Sequence, residues 1–354
     1  QAEEEAWADY RVYEGKGIML WGNMFSSYKE LSMGYASNAD IGGIRSESRG
    51  FDGKRLIGYP ESHDEERLMY ENLQFGNQNN PNHDVQNLNT ALSRMSAIGA
   101  VSLLVPGPKM IWHFAELGMQ QSLNTCSDGP LGDCRLDTKP QPQWSENWLS
   151  IAQRKQIYDD WAKMIALKTN NPVFRASSSI SPYNNNNLLQ RIYIYDDALD
   201  PSSLKNVVIL ANFDVYPQTI TADFPYTGTW YNLMDNSSFS VSNTATAITL
   251  QPGEFRVYGN QQATLDQGST QLIQGLQLTE NPVRDNINIL LPTALKGAVE
   301  WKIYNPSGVL IDKGKDAVRS QHLHINAPKQ NGLYFVVLKH PQSNAWGLLK
   351  VLKQ

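Results

Sequence analysis

The chain is poor in the features that would settle its class at once. Only two cysteines occur in 354 residues, which excludes a disulfide-stapled scaffold and a Cys-rich zinc module. No apolar run approaches the roughly 20 residues needed to cross a bilayer as a helix. Neither sign of charge dominates: 30 Lys and Arg against 35 Asp and Glu leave a net charge of -5 and a pI near 5.7. The sequence therefore offers no basic footprint for nucleic acid or for an anionic membrane surface. What remains is a chain long enough for two or three domains of about 100–200 residues each.

Against that background the densest charge stands out. Gly58-Tyr59-Pro60-Glu61-Ser62-His63-Asp64-Glu65-Glu66-Arg67 places a histidine and four acids directly behind an apolar, strand-like segment, Leu56 to Tyr59. Alone, the run also fits a solvated helix start, with Ser62 as N-cap and Glu65, Glu66 and Arg67 as a helix-start charge cluster without a ligand role. About forty residues on, Pro106 to Gly118 repeats the design of a turn, an apolar strand and an acid, Glu116, at its end. His113 falls inside that strand and reads as packed rather than as a ligand. Between the two, Val85, Leu88, Leu92 and Met95 recur at helical spacing and lead into the apolar stretch Ala97 to Val105, a buried helix. A second amphipathic segment from Ile151 to Leu167 follows Ser150 as N-cap and stops at Asn170-Asn171-Pro172. Strand, helix, strand, helix is the order of the closing units of a β/α barrel, whose catalytic groups stand at the C-terminal ends of strands.

These residues carry a resemblance. Residues 1–175 resemble the last third of the catalytic (β/α)8 TIM barrel of the α-amylase family, glycoside hydrolase family 13. The match rests on His63-Asp64 after strand seven and on Met110 to Gly118 as strand eight. Gly17 to Asn23, Arg135 and the Lys139-Pro140 to Trp144 loop add to it. Many family members have Asn before the His-Asp pair where this chain has Ser62, which leans toward a branching-enzyme-like relative. The resemblance implies that Asp64 is the catalytic transition-state stabiliser, that His63 binds the same sugar, and that Glu116 is either a substrate contact or a structural strand-end acid. A carboxylate is a strong acceptor for sugar hydroxyls whose bonds tighten as the ring flattens.

Cleavage with retention needs two more carboxylates, a nucleophile and a general acid, about 5–5.5 Å apart. In the family they follow strands four and five. Gln1 to Trp7 reads as the helix after the general acid, and no nucleophile-like segment occurs downstream. The expectation is a C-terminal portion of a secreted retaining α-glucan-active glycoside hydrolase acting on starch or glycogen, inactive as a fragment and unstable alone because an open parallel sheet exposes its edges. The alternatives are a 1,4-α-glucan branching enzyme and a non-catalytic surface glucan-binding protein.

Cys126 and Cys134 bound a Gly- and Pro-containing loop and form a disulfide candidate, with two free thiols as the alternative. No His accompanies them, so no metal site is assigned; Asp128 and Asp133 leave calcium possible in the full-length enzyme. After Arg175, short alternating strands at Leu188–Tyr195, Val207–Phe213, Gly228–Leu233, Ala247–Leu250 and Phe255–Gly259 predict an all-β sandwich over residues 176–260. It resembles the C-domain that follows the amylase-family barrel; Trp230 and Tyr231 read as core residues, with stacking on glucan from the surface as the alternative. A polar linker spans residues 261–275. Residues 276–354 predict a second all-β, immunoglobulin-like sandwich. Asn281-Pro282, Tyr304-Asn305-Pro306-Ser307-Gly308, Gly332-Leu333-Tyr334-Phe335-Val336 and a lysine-bearing final strand resemble a type A C-terminal sorting domain of the type IX secretion system. That implies the outer-membrane secretion machinery as a partner and a secreted or surface-attached product; an ordinary immunoglobulin-like appendage or a carbohydrate-binding module is the alternative.

Overall fold

The computed structural model describes residues 19–51, 53–183, 186–263, 273, 275–292, 295, 297–318, 321–340 and 345–354. The expected helix at Gln1 to Trp7 and most of the expected linker lie outside the described residues. The chain divides into two compact units, Gln1–Leu265 and Asp266–Gln354.

The first unit opens with β1 (Leu20–Asn23), α1 (Phe25–Met33), β2 (Leu56–Tyr59), α2 (Leu68–Phe75) and α3 (Leu88–Ser102). β1 and β2 pair in parallel, Leu20 opposite Leu56 and Asn23 opposite Tyr59. A third parallel segment joins at Lys109, where Gly58 N–H donates to Pro108 O at 3.2 Å and Met110 N–H to Gly58 O at 3.2 Å. Glycine is required at 58, because a Cβ there would lie 2.5 Å from Ile44 Cγ1. Asn87 caps α3, its Oδ1 accepting from the N–H of Asn89 at 3.0 Å, which satisfies a donor otherwise left open at a helix start. The body of α3 from Ala91 is buried almost throughout. It packs on α4 (Ala152–Asn170). The two helices meet at Gly99, where a Cβ would stand 2.3 Å from Trp161 Nε1, and that indole N–H donates to Met95 O at 2.9 Å.

Among the described residues there is no closed barrel, only these three parallel segments with helices between them. Strand eight also differs from expectation. Sheet pairing ends at Met110, and the chain turns through Trp112 to Ala115, a 3-10 turn at Ala115–Leu117, and Gly118. Phe114 (φ 63°) and Gly118 (φ 66°) are both left-handed, a conformation that ends a strand, and both Leu117 and Met119 return their N–H groups to Phe114 O at 3.0 Å. His113 therefore sits in a turn, exposed on one side, rather than inside a strand. Ser150 is no cap either: Ile151 holds that position without a side-chain bond, and Ser150 Oγ donates to Asn147 O at 2.8 Å.

The rest of this unit is antiparallel. A six-stranded sheet runs in the order β3 (Ser177–Tyr183), β4 (Asn186–Tyr195), β5 (Asn206–Asn212), β10 (Phe255–Gly259), β7 (Gly228–Asn232) and β8 (Ser238–Val241). β6 (Gln218–Thr221) pairs with β9 (Ala247–Leu250) separately. β5 is buried at every position, and the two-residue period explains why. Val207, Ile209 and Ala211 join the cluster around α3 and α4, while Val208 and Leu210 join Ile220, Trp230 and Leu250. Trp230 is fully buried, a core residue, whereas Tyr231 beside it is only half-buried and does not join the core. Arg94, also fully buried, ties the helical part to the sheet: its guanidinium donates to Ser32 O at 2.8 Å and Phe213 O at 2.6 Å.

Among the described residues the second unit holds seven strands in two sheets. β11 (Gln277–Leu278), β12 (Asn286–Leu290) and β15 (His322–Asn326) form one. β14 (Leu310–Val318), β13 (Gly297–Tyr304), β16 (Gly332–His340) and β17 (Ala345–Lys353) form the other. Alternate residues Ile287, Ile289, Val299, Ile303, Val336 and Leu338 from both sheets make one core. Among the described residues no helix is long and apolar enough to cross a membrane.

Candidate functional site

The charged run begins where β2 ends, and its side chains divide between interior and surface. Glu61 and Ser62 are buried, whereas the side chains of His63 and Asp64 are 69% and 65% exposed. Glu61 Oε1 pairs with Arg67 Nη1 at 3.0 Å, both side chains out of solvent, and Glu61 Oε2 accepts from Leu68 N–H at 2.8 Å. The start of α2 is thus capped by Glu61 folding back, not by Ser62. Burial pushes the Glu61 carboxyl up in spite of the Arg67 charge beside it. Ser62 Oγ instead donates to Glu65 Oε2 at 2.5 Å and accepts from Asp64 N–H at 3.2 Å. Asn23, at the end of β1, donates to Glu65 Oε1 and fixes itself by accepting from Phe25 N–H at 2.9 Å.

Above the turn lies a hairpin closed by a disulfide between Cys126 and Cys134, S–S 1.98 Å. Arg135 follows it, and its Nη2 donates to Asp64 O at 2.6 Å and stands 3.5 Å from Asp64 Oδ1. The His63 Nε2 atom lies 3.3 Å from Asp64 Oδ2. Glu66 points the other way and accepts from Ser122 Oγ at 2.7 Å and Leu123 N–H at 3.1 Å. The acids after Asp64 are committed to holding the turn, which leaves Asp64 as the carboxylate presented outward.

Beside this turn is a cleft of about 210 Å³ lined by His63, Arg67, Trp112, His113, Arg135 and Gln141 among others. A row of rings borders it: His63 to Trp112 at 5.7 Å, Trp112 to His113 at 4.5 Å, His113 to Phe114 at 5.3 Å, and Phe114 to the exposed Trp144 at 5.5 Å. Arg67 lies over the Trp112 ring and 3.2 Å from His113 Nε2. Burial, and then the Arg67 charge, hold the His113 imidazole below its ordinary value. Glu116 is not brought to His63 and Asp64. It lines a separate groove with Ile111, Tyr158, Trp161 and Ile165, reached from the cleft through His113, and burial raises its carboxyl.

Asp128 and Asp133 stand exposed on the hairpin. Asp137 lies close to both cysteines, but sulfurs joined in a disulfide are not thiolate ligands. The side chains that sequence reasoning undervalued are Glu61, Arg67 and Arg135. Glu61 and Arg67 carry a readable signal, an acid and a base six residues apart across a helix start. Arg135 carries none, since it meets Asp64 across 71 residues.

Chemically, the arrangement offers one exposed, fixed acceptor carboxylate, a neighbouring imidazole and flat rings. That set can hold hydroxyl groups and stack on apolar sugar faces.

No family model and no curated protein matches the chain. Solved structures resemble it in part. AmyP in complex with maltotriose shares 14% identity at a TM-score of 0.49, over 68% of this chain and 51% of that one. An alpha-amylase from Anoxybacillus shares 13% at 0.46, over 73% and 50%. The pullulanase from Bacillus acidopullulyticus shares 18% at 0.48, over 69% and 30%. The chain thus spans about half the length of the first two and less than a third of the last.

Proposed function

We propose that this chain supplies the substrate-holding side of the active site of a retaining α-glucan-active glycoside hydrolase of the α-amylase type, acting on α-1,4-glucans such as starch or glycogen. The observation that carries the reading is the turn after β2: His63 and Asp64 stand exposed and adjacent at the C-terminal end of a parallel strand, beside the cleft and its rings. Such strand ends are where β/α folds place their chemistry. Asp64 accepts hydrogen bonds from sugar hydroxyls, most strongly as the ring approaches an oxocarbenium ion, and His63 adds a second contact to the same sugar. The turn itself performs no bond cleavage. Nucleophile and general acid belong to other segments of the protein, which is why the chain is read as a C-terminal portion. The second unit is proposed as the export domain of a secreted protein.

The test is turnover of soluble starch by the full-length protein, scoring new reducing ends against new branch points. Hydrolysis supports the reading, branch points without new reducing ends make the protein a branching enzyme, and loss of neither activity in Asp64→Asn removes Asp64 from the site.

A further inference from the structure

We propose that the disulfide-closed hairpin at residues 125–139 is the positioning element of the His63–Asp64 turn, with Arg135 as the positioning residue that holds Asp64 in its glucan-binding orientation. This rests on the glucan reading above and adds to it a residue and a redox dependence.

The contacts form a closed circuit. Glu66, two residues after Asp64, grips the incoming limb of the hairpin through Ser122 Oγ at 2.7 Å, Leu123 N–H at 3.1 Å and Asn124 Nδ2 at 3.4 Å. The limb continues through Thr125 to Cys126, crosses the disulfide to Cys134, and the next residue, Arg135, donates to Asp64 O at 2.6 Å and His63 O at 3.4 Å. Lys139 reinforces the crossing, donating to Thr125 O at 2.9 Å and also to Cys134 O. The turn is therefore held from both ends by one hairpin, and the disulfide is the link that makes the two grips a single unit.

Backbone bonds shape the hairpin locally, Cys126 N–H to Pro130 O at 2.7 Å and Gly132 N–H to Asn124 O at 3.0 Å, but packing adds little to it. Its apolar side chains face solvent, Leu131 at 61% and Leu136 at 99% exposure, so no buried core replaces the cross-link. An exposed ion pair such as Arg135 with Asp64 adds little to stability; its effect is geometric. Misplacement of a site group by about 1 Å can cost on the order of 100-fold in rate. A hairpin that merely decorates the surface would show none of this.

The experiment uses the full-length protein, with maltotriose for binding and soluble starch for turnover. Reduction with dithiothreitol breaks the Cys126–Cys134 bond to two thiols while the reagent closes to its cyclic disulfide. Arg135→Gln, the double variant Cys126→Ser with Cys134→Ser, and the reduced wild type are all expected to lose about 10–100-fold in kcat with KM within about threefold. Arg135→Lys, which keeps one donor for Asp64 O, should recover part of the loss, and the double serine variant should no longer respond to dithiothreitol. If the protein only binds, maltotriose affinity takes the place of kcat. Activity or affinity within twofold of wild type for Arg135→Gln and for the reduced protein, while Asp64→Asn remains impaired, overturns the positioning role alone. An Asp64→Asn variant unchanged in both readouts overturns the glucan reading and this proposal with it.

Discussion

Glu61 and Arg67 form the buried foundation of the candidate site, and substitutions at the pair should destabilise the fold in a graded series. Their side chains are paired at 3.0 Å with almost no solvent contact. In Glu61→Ala the guanidinium of Arg67 loses the one carboxylate within ion-pair distance among the described residues and keeps the Trp112 face, a histidine nitrogen 3.2 Å away and the more distant charge of Glu116, none of which replaces the direct pair. Breaking a buried pair from one side costs about 3–5 kcal/mol. The same substitution strips the acceptor from Leu68 N–H at the start of α2, worth about 1 kcal/mol more, though the two effects share one residue and do not simply add. With each kcal/mol moving the midpoint of a unit this size by about 2–4 °C, the drop in Tm should be on the order of 10 °C. Glu61→Gln keeps an acceptor for the helix start and should lose about half as much. Glu61→Leu combined with Arg67→Met should recover most of the loss, because burial disfavours the charged carboxyl even beside Arg67 and a well-packed apolar pair avoids both desolvation costs. Thermal unfolding followed by tryptophan fluorescence and circular dichroism reads all three. A Glu61→Ala protein within about 1 kcal/mol of wild type, or a double variant no better than the single, would show that the pair does not hold this turn in place.

Two more outcomes follow from other parts of the molecule. His83 accepts from the buried Arg94 at 3.0 Å, and burial followed by the Arg94 charge lowers its imidazole from 6.5 to about 4. The unfolded chain then takes up the proton first as pH falls, so the stability that His83 contributes is fully present above about 6.5 and is lost between about 6.5 and 4. The full shift corresponds to about 3 kcal/mol, reduced to about 1–2 kcal/mol for a ring that is only partly buried; His83→Gln should flatten that limb of the stability curve, and an unchanged limb would clear His83 of the effect. Removal of residues 276–354 should leave the protein unexported in its native host, and normal export of the truncated form would end the sorting-domain reading.

Some of this architecture was legible in the residues and some was not, for physical reasons. β5 could be read because a strand covered on both faces is continuously apolar, as Val207 to Ala211 is. α3 could be read because its apolar positions recur with the helical period. β6 and β8, Gln-Thr-Ile-Thr and Ser-Phe-Ser-Val, bury a single residue each, too little apolar signal to distinguish a strand from a loop. The apolar texture of Met110 to Ala115 promised a strand, but Phe114 adopts a left-handed conformation that its side chain does not announce. At the site, Asp64 and His63 were visible because charges behind an apolar strand have few structural uses. The cap at Leu68 was misplaced because Glu61 is long enough to reach back to the helix start from seven residues away, beyond the spacing of the usual capping rules. The Arg135 contact with Asp64 depends on the disulfide hairpin folding over the turn, a relation of three-dimensional closure that no local pattern encodes.

The proposed function stands or falls with Asp64 as a sugar-binding carboxylate on which the rate depends. The direct measurement is kcat on soluble starch for the full-length protein and its Asp64→Asn variant, with Tm recorded for both. Because the side chain is mostly exposed and its partners among the described residues are Arg135 and the neighbouring histidine, the variant should keep its Tm within about 2 °C while kcat falls by on the order of 10²–10³, the loss of several kcal/mol of transition-state binding. A kcat within tenfold of wild type at unchanged Tm would contradict the claim.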